Sequence, residues 1–214
     1  YIAVTGVQTC ALPIWSVQAG INQGGITENT AITSEPRTEI DAFSGATQTG
    51  VNAGIRAAVP IKSNALETGL DIMYNPQTFT YNDPVNNFQG KRELKLTQIM
   101  APLTWNFGVL NRPSHGSIFE IKLGPLLQYN ILETSDSGSN LPGYSVNKLS
   151  GGFTLGISAT PVVFDNKSQL GIYLEGYRGS QIYEDFYNQS KFEEPGSSFV
   201  KFGLIYRFRR SADR

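Results

Sequence analysis

From Trp15 onward the chain alternates apolar and polar residues with period two, the mark of strands whose two faces meet different surroundings. The clearest case is the closing "FVKFGLIYRF" (199–208). Val200, Phe202, Leu204, Tyr206 and Phe208 share one face, while Lys201, Gly203, Ile205 and Arg207 share the other. In "FEIKLGPLLQYNI" (119–131), Phe119, Ile121, Leu123, Pro125, Leu127, Tyr129 and Ile131 oppose Glu120, Lys122, Gly124, Gln128 and Asn130, with Leu126 out of pattern. The same contrast sets Val51, Ala53, Ile55, Ala57 and Val59 against Asn52, Gly54 and Arg56. It sets Leu66, Leu70, Ile72 and Tyr74 against Glu67, Gly69 and Asp71. In "KLSGGFTLGISATPVV" (148–163) Leu149, Phe153, Leu155, Ile157, Ala159 and Val163 oppose Gly152, Thr154, Gly156, Ser158 and Thr160.

Three weaker segments complete the set: 15–26, 95–109 and 168–183. The last places Leu170, Ile172 and Leu174 against Gly171, Tyr173 and Glu175, then blurs after Gly176, which predicts a bulge. The total is about eight strands. Their connections alternate: long at 27–45, 82–92, 134–147 and 184–197, short at 62–64, 111–117 and 165–167. An even number of strands with alternating long and short connections predicts an all-β, up-and-down antiparallel transmembrane β-barrel of about eight strands. Closure would pair every backbone donor and acceptor, as hydrocarbon demands.

Alternation alone does not say which face points outward. A soluble lipocalin-like barrel, apolar face inward around an apolar ligand, has the same period. Three features favour lipid outside. The polar face collects charges of both signs: Arg56, Glu67, Asp71, Glu120, Lys122, Glu175, Lys201 and Arg207. It is rich in glycine, which suits a narrow lumen. The last strand ends in aromatics, as at a membrane interface. The eight charges are expected to neutralise one another inside the barrel, because buried charges need partners.

Composition narrows the classes further. Charged residues are 16% of the chain and the formal net charge is −1, without the basic excess that a nucleic-acid partner would call for. One cysteine and one histidine leave no internal disulfide and little for a metal site, and no cofactor is implied. No run reaches the ~18 apolar residues of a membrane helix. Catalysis would require an activated nucleophile or water. His115, in "NRPSHGS", falls in a predicted short turn and reads as a solvated residue, and the carboxylates Glu67, Asp71, Glu120 and Glu175 read as partners of cations rather than as a hydrolytic pair. No enzyme is expected. The long polar connections are where binding would reside; a narrow pore for small solutes is the alternative.

The phrases "VQAGINQGGI", "GVNAGIRAAVPI", "LETGLDIMYNPQTFTY", "LKLTQIMAPLTWNFG", "FEIKLGPLLQYNI" and "KFGLIYRF" resemble the PorT-like outer-membrane β-barrel family, porin-like barrels of Gram-negative Bacteroidota. The resemblance covers about 15–208 and implies a place in the bacterial outer membrane, in contact with its lipid. It also implies that Tyr206 and Phe208 form a C-terminal signal for the barrel-insertion machinery. Some PorT-like proteins are linked to a protein-secretion system, so a secretion partner is a further expectation. The chain departs from the family in the tail "RRSADR" after Phe208, which is set apart as 209–214. "VTGVQTCALPI" (4–14) resembles a translated sequencing adapter, and residues 1–14 are expected to be non-native and outside the barrel.

Overall fold

The computed structural model describes residues 13–29, 43–46, 48–61, 64–83, 88–112, 116–139, 145–181, 183–184 and 193–208. The strands are β1 (Ile14–Asn29), β2 (Phe43–Ala46), β3 (Gln48–Ile61), β4 (Asn64–Asp83), β5 (Phe88–Arg112), β6 (Gly116–Ser139), β7 (Ser145–Val146), β8 (Leu149–Val163), β9 (Gln169–Gln181), β10 (Tyr183–Glu184) and β11 (Glu193–Phe208).

Eight of them form a ring in the order β4-β3-β1-β11-β9-β8-β6-β5, and the β5–β4 pairing closes it. Every neighbouring pair is antiparallel, and first meets last along a register running from Trp15↔Phe208 to Asn29↔Glu193. β2 adds to the upper part of β4, from Phe43↔Tyr81 to Ala46↔Thr78. The ladder also takes in Ile14, which pairs with Ala58, one residue before the predicted boundary. Residues 1–12, with Cys10, the turn carrying His115 and the tail 209–214 lie outside the described residues.

The barrel is inverted relative to a soluble protein. Leu70, Ile72, Leu127, Leu155, Phe153, Leu204 and many other large apolar side chains face outward and exposed, while the lumen holds Arg56, Glu67, Asp71, Lys122, Glu175 and Lys201. Burying charge while displaying an apolar belt is stable only when the surroundings are hydrocarbon. The belt on β6 runs from Phe119 to Ile131. It rises ~40 Å along the strand, about 30 Å of height at a tilt near 40°, which matches a bilayer core. The lipocalin-like alternative, with its apolar face inward, is thereby overturned.

Several local expectations are corrected. The predicted loop at 82–92 is mostly strand: β4 and β5 remain paired to Asp83↔Phe88. The predicted loop at 134–147 is also largely strand, since β5 and β6 stay paired to Gln89↔Ser139. Above the bilayer the outward face meets water: Lys91, Glu93 and Lys95 are exposed while Leu94 and Leu96 are buried, so the apolar-outward alternation that marks a membrane strand is lost although the hydrogen-bond ladder continues. The result is a β4–β5–β6 extension in which residues 88–96 of β5 add roughly 30 Å of strand length. In β9, inside–outside alternation persists beyond Gly176, and the register shift falls at Ser180, between Gly196↔Gln181 and Ser197↔Gly179. A bulge after Ala159 reverses the parity of β8, so Val162 faces outward and Val163 pairs with the buried Gln169.

Candidate functional site: a layered, charge-filled lumen

The eight charges predicted to face inward are all buried in the lumen. Six of them, Arg56, Glu67, Asp71, Lys122, Glu175 and Lys201, form one cluster drawn from β3, β4, β6, β9 and β11. Asp71 accepts hydrogen bonds from Arg56 Nε at 2.9 Å, Lys201 Nζ at 2.7 Å and Gln18 Nε2 at 3.0 Å, and from Arg56 Nη2 as well. Glu175 Oε2 takes Lys201 at 2.9 Å and Arg56 Nη2 at 3.2 Å. Glu67 takes Lys122 at 2.7 Å and the Asn106 amide at 3.1 Å. Three cations thus face three carboxylates. Removing ions from water is costly, and the cluster offsets that cost with close, multiply bonded opposite charge. The remaining pair, Arg207 and Glu120, lies nearer the β11 C-terminus. Arg207 Nη1 donates to Glu120 Oε1 at 3.0 Å, and Nη2 donates to Oε2 of the same carboxylate and to Ser158 Oγ.

Above the charge cluster, toward the extension, lies an apolar plug. Tyr177 stacks on Phe199 with ring centroids 5.2 Å apart, and Met73, Met100 and Leu126 are buried around them. The Tyr177 hydroxyl donates to Gln98 Oε1. A layer of amides follows. Asn75 donates to Asn22 at 2.7 Å and Gln98 to Asn130 at 2.8 Å; Asn130 and Gln128 both donate to Ser150. Below the plug, Tyr173 aligns with Gly203, Gly20 and Asn52 in one cross-strand row. Its hydroxyl donates to Asn52 Oδ1, two strands beyond Gly203. Both glycines are required at this close approach, because a Cβ at Gly20 or Gly203 would sit 2.1 Å from a backbone oxygen of the neighbouring strand.

Between plug and charges a cavity of about 10 Å³ is lined by Arg56, Asp71, Met100, Pro102, Leu126, Thr154, Tyr177 and Lys201. That is room for about one water. The arrangement can fix strand register, since its ion pairs tie β3, β4, β6, β9 and β11 together across the lumen. Each lumen carboxylate is held by a cation, and among the described residues no group of three or more His, Cys, Asp or Glu is placed to hold a metal.

The predicted C-terminal signal residues face outward. Tyr206 meets Phe208 edge-on at 4.9 Å and Phe164 at 6.1 Å, and its hydroxyl donates to Ser168 Oγ at 2.7 Å. With Trp15 beside Phe208 these rings form an aromatic girdle. Sequence parity alone would have placed Phe199 and Tyr177 in the lumen; only the plug they build together needed the fold. At the outer end, Arg92 donates to Asp136 from Nε and Nη2, both at 2.8 Å, tying β5 to β6. The hydrogen bond from Arg92 holds the Asp136 carboxyl below its ordinary range.

No family model matches the chain, and no curated protein matches it. Solved structures similar in shape include outer membrane protein OprG from Pseudomonas aeruginosa, 11% identical over 93% of this chain and 97% of that one, with a TM-score of 0.46. Neisserial surface protein A is 16% identical over 91% and 97%, with a TM-score of 0.47. Ail, the attachment invasion locus protein of Yersinia pestis, in complex with a heparin analogue, is 13% identical over 92% and 99%, with a TM-score of 0.43. The assignment of this chain as a closed, eight-stranded antiparallel barrel rests on its own strand ladder.

Proposed function

We propose that the protein is an integral barrel of the bacterial outer membrane whose work is done at its extracellular end, as a binding or structural surface, and not through its lumen. One observation carries this reading. Among the described residues the lumen is filled in successive layers, amide, aromatic and ionic, and the cavity between the aromatic and ionic layers has a volume of about 10 Å³. A hydrated ion needs a continuous wet path, which these layers do not leave. The β4–β5–β6 extension supplies a stiff platform that stays paired to Asp83↔Phe88 and Gln89↔Ser139. Loops on a rigid scaffold are where binding commonly resides.

The chain has no catalytic role in this proposal. Its partners are outer-membrane lipid around the apolar belt and the insertion machinery that would read Tyr206 and Phe208. An extracellular or secretion-system partner follows from the resemblance to PorT-like barrels of Bacteroidota. The experiment is reconstitution of the full chain into planar bilayers. Silent membranes are expected at all voltages, together with protease cleavage at 84–87 or 140–144 from outside intact cells. Stable unitary conductance that changes on Arg56→Gln would overturn the proposal in favour of the narrow pore.

A further inference from the structure

Two prolines interrupt the wall of the barrel at the same place. Pro102 lies in β5 and Pro125 in the adjacent β6, both inside strands paired on two sides. Proline has no N–H to give a ladder and is ordinarily confined to edges and bulges. The pairing records the consequence. Between β4 and β5 the rungs run to Thr68↔Leu103 and resume at Asp71↔Met100, skipping Gly69 and Leu70 opposite Pro102 and Ala101. Between β5 and β6 they run to Pro102↔Leu126 and resume at Trp105↔Leu123, skipping Leu103 and Thr104 opposite Pro125 and Gly124. The segment 101–104 of β5 therefore loses rungs first on one side and then on the other. Thr68 Oγ1 donates to Pro102 O at 2.9 Å, a side-chain bond bridging the first gap. This stretch lies within the apolar belt, where an unpaired backbone group finds no water and costs several kcal/mol.

The gap backs onto the charge cluster. Met100, Pro102 and Leu126 share the small cavity with Arg56, Asp71 and Lys201. Two buried polar atoms of that cluster, Arg56 Nη1 and Glu175 Oε1, have no hydrogen-bond partner in the protein. Arg56 also lines the cavity, which at about 10 Å³ is just large enough for one water that could bond its unpartnered nitrogen. The axial path from outside is closed by Tyr177 stacked on Phe199. From the other end Arg207, Glu120 and Ser158 are bonded across the lumen.

We propose that residues 101–104 of β5, with Gly69–Leu70 and Gly124–Pro125 beside them, form a lateral seam. There the wall opens locally and exchanges water with the buried ionic cluster. The seam is a conformational device in the wall, separate from the extracellular end that carries the proposed function. Strands open where the ladder is weak, and here, among the described residues, two successive ladders are broken at one height.

The test is amide hydrogen exchange on the full chain folded in lipid nanodiscs, residue by residue. The controls are Leu174–Gly176 and Lys201–Gly203, on uninterrupted ladders that flank Glu175 and Lys201 and so share the height of the cluster. Gly69 and Leu103, which face Pro102 and Pro125 across the broken rungs, are expected to exchange about tenfold or more faster than these controls. Pro125→Val, which restores an N–H that can donate to the Leu103 carbonyl, should slow Leu103, and Pro102→Val, which restores one toward the Gly69 carbonyl, should slow Gly69. Equal protection in the unmodified chain would overturn the seam whether or not the variants fold. So would fast exchange that neither valine changes. Phe199→Ala loosens only the axial plug and should leave seam exchange unaltered; a matching acceleration at the seam would place the water route on the axis instead.

Discussion

Asp71 is the carboxylate on which the lumen depends most directly, and Asp71→Asn isolates its charge. The substitution preserves volume and one acceptor oxygen. It leaves Arg56 and Lys201, both bonded to Asp71 in the native chain, with Glu175 as their shared remaining carboxylate. The cluster of three cations and three carboxylates acquires an uncompensated positive charge in a site closed to bulk water. Removing one partner of a buried ion pair costs about 3–5 kcal/mol, and the retained oxygen puts this variant near the lower figure. About 3 kcal/mol is a loss of roughly two orders of magnitude in the folding equilibrium. The double variant Asp71→Asn/Lys201→Met restores neutrality with two cations and two carboxylates, and should recover most of the loss, costing under about 2 kcal/mol. Both are read by denaturant unfolding of the barrel in lipid vesicles through the fluorescence of Trp15 and Trp105, with the denaturant slope unchanged. A single variant that loses under about 1 kcal/mol, or a double variant less stable than the single, would refute the claim that charge balance holds this lumen together.

Other consequences follow from the same geometry. Gly203→Val places a side chain where even a Cβ lies 2.1 Å from the Ala19 carbonyl oxygen, and should block closure of β1 on β11, seen as loss of the heat-dependent gel shift. The Asp136 carboxyl is held below its usual range by Arg92, so its contribution is fully present above the ordinary carboxylate pKa and is lost only as pH falls through the lowered native value. The β5–β6 extension should therefore keep its amide protection on acidification from neutrality to about pH 4 and lose it below, and Arg92→Gln should move the Asp136 titration back up. Tyr177→Phe removes the hydroxyl that donates to Gln98 but keeps the stack on Phe199, and should leave the bilayer silent in single-channel recording.

Period two carried most of the fold because lipid and lumen impose opposite chemistry on the two faces of each strand. Lys201 and Arg207 could be assigned to the lumen from their places between Val200, Phe202, Tyr206 and Phe208. The partner of each charge was not legible, since Lys201 meets Asp71 on a strand 130 positions earlier in the chain. The extension was hidden because Glu93, Lys95 and Ser135 stand above the bilayer, where the outward face need not be apolar and the buried Leu94 and Leu96 point inward. The seam did have a sequence signal, a proline within each of two alternating strands. Its meaning depends on β5 and β6 being neighbours in register, which only the closed ladder establishes.

The central claim is that the apolar face points into lipid around a sealed, charged lumen. Trp15 and Trp105 both lie on that outward face. The direct measurement is their fluorescence after the full chain is folded into vesicles whose acyl chains carry bromine. Strong quenching, lost on dilution into unbrominated lipid, is the predicted result. Unquenched tryptophans in a chain that stays folded and soluble without detergent or lipid would contradict it.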